Sequence, residues 1–246
     1  MSSERVPVES DGGQQGGLLP ASVRERLRAL YSRVPRVSCT CDRLGQCCEL
    51  TEAERADDYA TMYPLYTVEY LNIVDYVQRR FDPKRQQDLL EMTEERPMRC
   101  PFLTEAQACE IHPVRPLMCR TYGVLQREEV EAAGSAARGD VPASWIWRFL
   151  STERYTVCPM TRVLDPGKVA AYTKDMVSHA YERTLILMGG EVDPLDAARR
   201  EALQQASGKA RLMRWTWGGF NVLMRSPLPW LRKHFGDYWE ASFLAD

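Results

Sequence analysis

Eight cysteines constrain this chain more than any other feature, because all of them fall between Cys39 and Cys158 and none falls in the final third of the 246 residues. The first group is Cys39-Thr40-Cys41, then five residues, then Cys47-Cys48. The second is Cys100, Cys109 and Cys119, and Cys158-Pro159 stands apart. Cysteines used only for packing sit among Leu, Val and Ile. Most of these sit beside Thr, Asp, Gln, Glu, Arg or Pro. Closely spaced thiols let one loop supply two ligands while a second loop closes the site, the arrangement of tetrahedral zinc and of iron–sulfur clusters. Neighbouring side chains diverge, so Cys47 and Cys48 either reach one centre from a tight turn, for which Gly45 is suited, or serve two metals.

The opening residues carry Glu, Asp, Gly and Gln where a signal peptide would carry an apolar core. This predicts a disordered tail over 1–20, no secretion and a cytoplasmic location, where thiols stay reduced and clustered cysteines hold metal instead of pairing. Hydrophobic residues make up 44% of the chain, enough for a core that needs no disulfide staples. The net charge is -2, which gives no electrostatic reason to expect nucleic acid as a partner. No stretch approaches the roughly 18 uncharged apolar residues of a membrane span.

Helical periodicity accounts for much of the rest. Val23, Leu27, Leu30 and Tyr31 share one face of a helix over 22–34 that Pro35 ends. Thr51 and Glu54 fit a capping box opening a helix to about Met62. Further helices are expected over Thr67–Arg80 and Pro83–Glu95, the latter with Asp82 as cap and Pro83 at its first position. The segments 37–50 and 99–123 read as irregular ligand loops, the second because Pro101, Pro113 and Pro116 exclude a long helix. Residues 126–140 and 145–150 suggest short helical pieces. Pro166–Met188 is the longest helical candidate, ended by Gly189-Gly190, and Asp193–Gln205 follows. The fold class is mainly α: an irregular cysteine-rich metal-binding core with surrounding helices. The expected division is a metal-binding domain over 21–160 and a helical C-terminal region over 161–246 packed on it. Trp145, Trp147, Trp215, Trp217, Trp230 and Trp239 are able to form a binding surface but are assigned to the core, with 215–220 able to edge a pocket. His179 and His234 are ordinary structural or surface residues.

Thiolate clusters are negative, and Arg99, Arg115 and Arg120 beside the second group suit a neutralising role. The Cys47-Cys48 pair, the Thr-led helix start, Cys100-Pro-Phe-Leu and the run Cys109-Glu-Ile-His-Pro-Val-Arg-Pro-Leu-Met-Cys119-Arg-Thr-Tyr-Gly together resemble the YkgJ-like cysteine-cluster family. That family is described as chelating zinc or iron. The resemblance covers about 38–123, with Cys158 as a later member. It implies Cys47, Cys48, Cys100, Cys109 and Cys119 as the leading ligands, then Cys39 and Cys41, then Cys158. Cys39 and Cys41 stand one residue apart where the family spaces them by two. The resemblance also argues against His112 as an obligatory ligand.

No phosphate loop, dinucleotide fingerprint, H-E-x-x-H or Ser-His-Asp set is present. The sequence thus points to a cytoplasmic protein with a cysteine-ligated zinc or iron centre, an iron–sulfur cluster included. Two further readings stand beside it. One is an iron-dependent oxidoreductase or peptide- or protein-modifying enzyme, methyltransferase-like ones among them. The other is a structural zinc module that binds a protein partner. If the two cysteine loops share a centre, they must fold against each other across the helices between them.

Overall fold

The computed structural model describes residues 17–39, 46–49, 52, 65–92, 97–125, 132, 158, 160–194 and 217. Their order is helix α1 (Ala21–Ser32), strand β1 (Val37–Cys39), helices α2 (Thr67–Arg80), α3 (Pro83–Leu90) and α4 (Leu117–Thr121), strand β2 (Thr161–Val163), and helices α5 (Val169–Val177) and α6 (Ala180–Val192). Single turns of 3-10 helix lie at Gln46–Cys48, His112–Val114 and Pro166–Lys168. The fold is mostly helical. Among the described residues no helix is long and apolar enough to cross a membrane.

Helix α2 is the axis of the fold, because it is apolar on more than one side. Tyr70, Ile73, Val74 and Val77 join Leu65, Leu89, Phe102, Ile111 and Trp217 in one core. Val68 joins a second core built from Leu19, Val23, Leu27, Leu30, Leu117, Val124, Tyr172, Tyr181, Leu185 and Met188. A helix wrapped this way also buries polar groups, and each must find partners. Asp75 accepts the backbone N–H groups of Leu18 (2.8 Å) and Leu19 (3.1 Å) and pairs with Arg24 at 2.9 Å. That carboxylate anchors Gly17–Pro20, so the expected tail does not reach residue 20; residues 1–16 lie outside the described part.

The expectation for α1 holds, with Val23, Leu27, Leu30 and Tyr31 all buried. Helix α2 has the expected bounds, and α3 starts as expected on an Asp82 cap with Pro83 first but ends at Leu90. The helix at 51–62 lies outside the described residues apart from Glu52, as does the segment 145–150 entirely. The long helix at 166–188 is instead two helices. His179 takes a left-handed conformation (φ 55°), and Ser178 and His179 bond back to Lys174 and Met176 to close α5. The bend sets the rings of Tyr172 and Tyr181 5.8 Å apart. Helix α6 then runs through Gly189-Gly190, since burial of Tyr181, Leu185 and Met188 outweighs a helix-propensity cost of roughly 1 kcal/mol per glycine.

Residues 37–39 are also not loop. They pair antiparallel with β2 in the register Val37↔Val163, Ser38↔Arg162, Cys39↔Thr161. A strand of three residues carries too little periodicity to read from sequence, and its partner lies more than a hundred residues away.

Candidate metal centre

The second cysteine segment folds as a hairpin followed by a short helix. Glu110 N–H donates to the Phe102 carbonyl (2.9 Å) and Thr104 N–H to the Ala108 carbonyl (2.9 Å), with Gln107 left-handed at the tip (φ 61°). Leu103 and Cys109 form the bridging pair. Phe102 and Ile111 turn into the core, Phe102 meeting Trp217 edge-on with ring centroids 5.0 Å apart. Trp217 is thus core, as expected of it. Cys100 and Cys109 pack partly against the same cluster. Arg85 from α3 reaches across to the Glu110 carboxylate (2.7 Å) and also donates to the Pro101 carbonyl.

The first cysteine loop docks directly on this hairpin. Cys100 N–H donates to the Cys48 carbonyl at 2.8 Å, and Glu49 and Arg99 form an antiparallel bridge. Their side chains approach to 3.4 Å, and Arg99 also donates to the Thr104 carbonyl at 2.8 Å. Arg99 is therefore a stitch between the loops, in addition to being a nearby positive charge. The 3-10 turn at Gln46–Cys48 is the tight turn that the adjacent pair requires.

Cys119 is carried by α4, five residues long and too short to hold itself together. Its first amide, Leu117 N–H, donates to Glu69 Oε1 at 2.6 Å. Glu69 is fully buried and also accepts the Tyr31 hydroxyl (2.6 Å) and the Tyr66 N–H (3.3 Å). Desolvation raises its carboxyl to about 7 despite these donors. Glu69 was not singled out in the sequence. The available signal is an acid flanked by Val68 and Tyr70 in a helix that is apolar on several sides.

Cys47, Cys109 and Cys119 are thiols, and their surroundings raise their proton affinity. Cys47 is raised by its hydrogen bond with Cys48 and by desolvation. Desolvation raises Cys109. Cys119 lies well above the usual thiol range through desolvation, with Cys100 and Cys109 adding to it. The positive charge of Arg115 opposes the shift at Cys47, Cys109 and Cys119, thiols of both loops. Its Nε is buried and has no hydrogen-bond partner among the described residues. A positive group with an unused donor beside several thiols suits thiolate ligands, whose charge it would offset. Arg120 instead donates to the carbonyls of Arg115 and Pro113, each at 2.8 Å. His112 is exposed on its turn.

Cys39 and Cys158 each adjoin Thr161 of β2. Cys39 lies opposite Thr161, whose hydroxyl is 2.9 Å from the Cys158 carbonyl and 2.6 Å from the Gly123 carbonyl. Gly123 is left-handed (φ 73°), and a Cβ there would lie 2.6 Å from the Thr161 methyl. Cys41 lies outside the described residues. Among those described, no group of three or more His, Cys, Asp or Glu stands ready to hold a metal ion. The donor set and the unpartnered Nε–H of Arg115 fit such a centre.

A family model, CxxCxxCC, described as "Putative zinc- or iron-chelating domain", matches residues 40–136. The matched stretch carries both docked loops, and the model is of the class that the cysteine pattern resembles. Cys41, Cys47, Cys48, Cys100, Cys109 and Cys119 lie inside the matched residues, and Cys39 and Cys158 outside. No curated protein and no solved structure matches the chain.

Proposed function

We propose that the two docked loops bind zinc or iron, with Cys47, Cys48, Cys100, Cys109 and Cys119 as the leading ligands. Cys39, Cys41 and Cys158 supply further thiolates nearby. The observation that carries this reading is the docking itself: the 2.8 Å bond from Cys100 N–H to the Cys48 carbonyl places an adjacent cysteine pair against a segment holding three more cysteines. Five thiolates exceed what one four-coordinate zinc uses. The surplus favours a second ion or an iron–sulfur cluster over a single mononuclear site.

The residues have distinct parts. The cysteines supply sulfur, the Gln46–Cys48 turn aims two of them, and Arg115 offsets negative charge with its Nε–H. Bound metal would supply a cross-link between loops about fifty residues apart in sequence and, if it is iron, an electron store. The location proposed is the cytoplasm, where the thiols remain available.

Anaerobic purification with elemental analysis and an absorption spectrum tests this. Zinc in a colourless protein supports the structural module. Iron with visible thiolate or sulfide absorption supports the oxidoreductase reading. Protein without metal that also takes up neither ion on reconstitution overturns the proposal, as does a non-reduced mass eight hydrogens short, which would mean four disulfides.

A further inference from the structure

Helix α1 lies before the residues matched by the family model, yet one of its side chains contacts the segment that carries Cys119 directly through Arg120 and indirectly through Glu69. The Tyr31 hydroxyl donates to Glu69 Oε1 at 2.6 Å, the oxygen that also accepts Leu117 N–H at 2.6 Å. The Tyr31 ring lies under the Arg120 guanidinium, 4.1 Å from centroid to Cζ. Arg120 in turn holds the carbonyls of Pro113 and Arg115. Cys119 thus sits between Leu117, held by Glu69, and Arg120, held over the Tyr31 ring, and Tyr31 braces both by bonding the same Glu69 oxygen.

We propose that Tyr31 is a positioning residue for the metal centre, its hydroxyl and ring face clamping both ends of the short Cys119 helix. This rests on the metal reading above. The physical reason is the length of α4. A five-residue helix has too few internal bonds to fix its own geometry, so the direction of the Cys119 sulfur depends on outside ties. Tyr31 supplies them from a rigid base, since Val23, Leu27 and Leu30 of the same helix are buried. The guanidinium over the ring is a cation–π contact, and the hydroxyl bond is to a buried carboxyl oxygen, where each bond counts for most. Groups that orient a metal ligand typically change metal affinity by about 10–100-fold when removed.

The test is release of the chain's own metal to EDTA, followed on anaerobically purified full-length protein at a temperature where every variant is folded by circular dichroism. Tyr31→Phe keeps the ring and loses the hydroxyl tie, and should release metal about tenfold faster than the wild type. Tyr31→Leu loses both ties and should be faster still. Leu185→Ala on α6 lowers stability without touching either tie or the helix that carries Tyr31, and should release metal at the wild-type rate. The inference is overturned if both Tyr31 variants match the wild type, or if Leu185→Ala is as fast as Tyr31→Phe, which would make the effect one of general stability. A wild-type protein that carries no metal would instead overturn the proposed function on which this rests.

Discussion

The two sides of α2 are held by different forces. On the side of α1, α5 and α6, the described contacts are mainly apolar: Leu19, Leu27, Tyr172, Tyr181, Leu185 and Met188 are almost wholly buried. The cysteine side has its own apolar floor of Tyr70, Ile73, Phe102, Ile111 and Trp217. Its outer layer is short turns joined by side-chain-to-backbone bonds, a few bridges and half-buried thiols. The first side is complete without further partners, because apolar burial needs none. On the second, raised thiol affinities mean protons occupy the sulfurs until something stronger displaces them. One side of the molecule should therefore be insensitive to metal and the other governed by it.

The largest expected effect breaks this comparison outright if it fails. Thiolate-bound structural zinc contributes on the order of 10 kcal/mol of folding free energy in small domains. Chelation, or Cys119→Ser, should remove the metal and sharply accelerate amide exchange over 46–49 and 97–123. The amides of α1 and α6 should stay protected. Equal loosening on both sides would show one cooperative unit with no division of labour. Next in size is Leu185→Ala on the apolar side. It should cost about 2–5 kcal/mol in denaturant unfolding and leave metal per chain unchanged.

A pH effect comes third. The folded carboxyl of Glu69 lies near 7, raised by desolvation above the ordinary value of 4.5. A group raised on folding binds more protons in the native state between those values. Its contribution is therefore complete below about 4.5 and is lost as pH rises through about 7. Stability of metal-free protein should fall over that window, and Glu69→Gln should flatten the slope. The smallest effect sharpens the role of the ribbon. Gly123→Ala forces a left-handed alanine, at roughly 1–2 kcal/mol, and adds a contact on Thr161 that must relax. Stability should drop modestly. Alkylation of Cys39 and Cys158 should rise more than that of Cys109 if the ribbon and the docked loops are separate units.

Much of this fold could be read from the sequence, and its gaps have physical causes. The bounds of α2 and the Asp82–Pro83 start of α3 follow from local signals: periodicity, a cap and a proline. The break at Ser178–His179 does not, because a left-handed histidine has no signature as strong as glycine's. The pairing of β1 with β2 is too short and too distant to be seen. At the site, the cysteine pattern pointed to the class that the family model then matched, and it made a meeting of the two loops the condition for a shared centre. It could not show Glu69 or Tyr31, whose importance comes from tertiary neighbours. Nor could it separate the three arginines, which look alike in sequence but differ in use: Arg99 joins loops, Arg120 braces a turn and the charge of Arg115 acts on thiols of both loops.

The docking of the first cysteine loop on the second has a consequence in time as well as in space. A ribosome adds about 5–20 residues each second. Some seventy residues separate Cys48 from Cys119, so roughly four to fourteen seconds pass between their syntheses at those rates. Until it ends, Cys47 and Cys48 exist without the full second group of cysteines. A nascent chain in this state is a loose chelator and an easy target for oxidants. Faithful assembly of the proposed centre would therefore depend on the thiol-reducing power and metal supply around the ribosome, and not only on the finished fold.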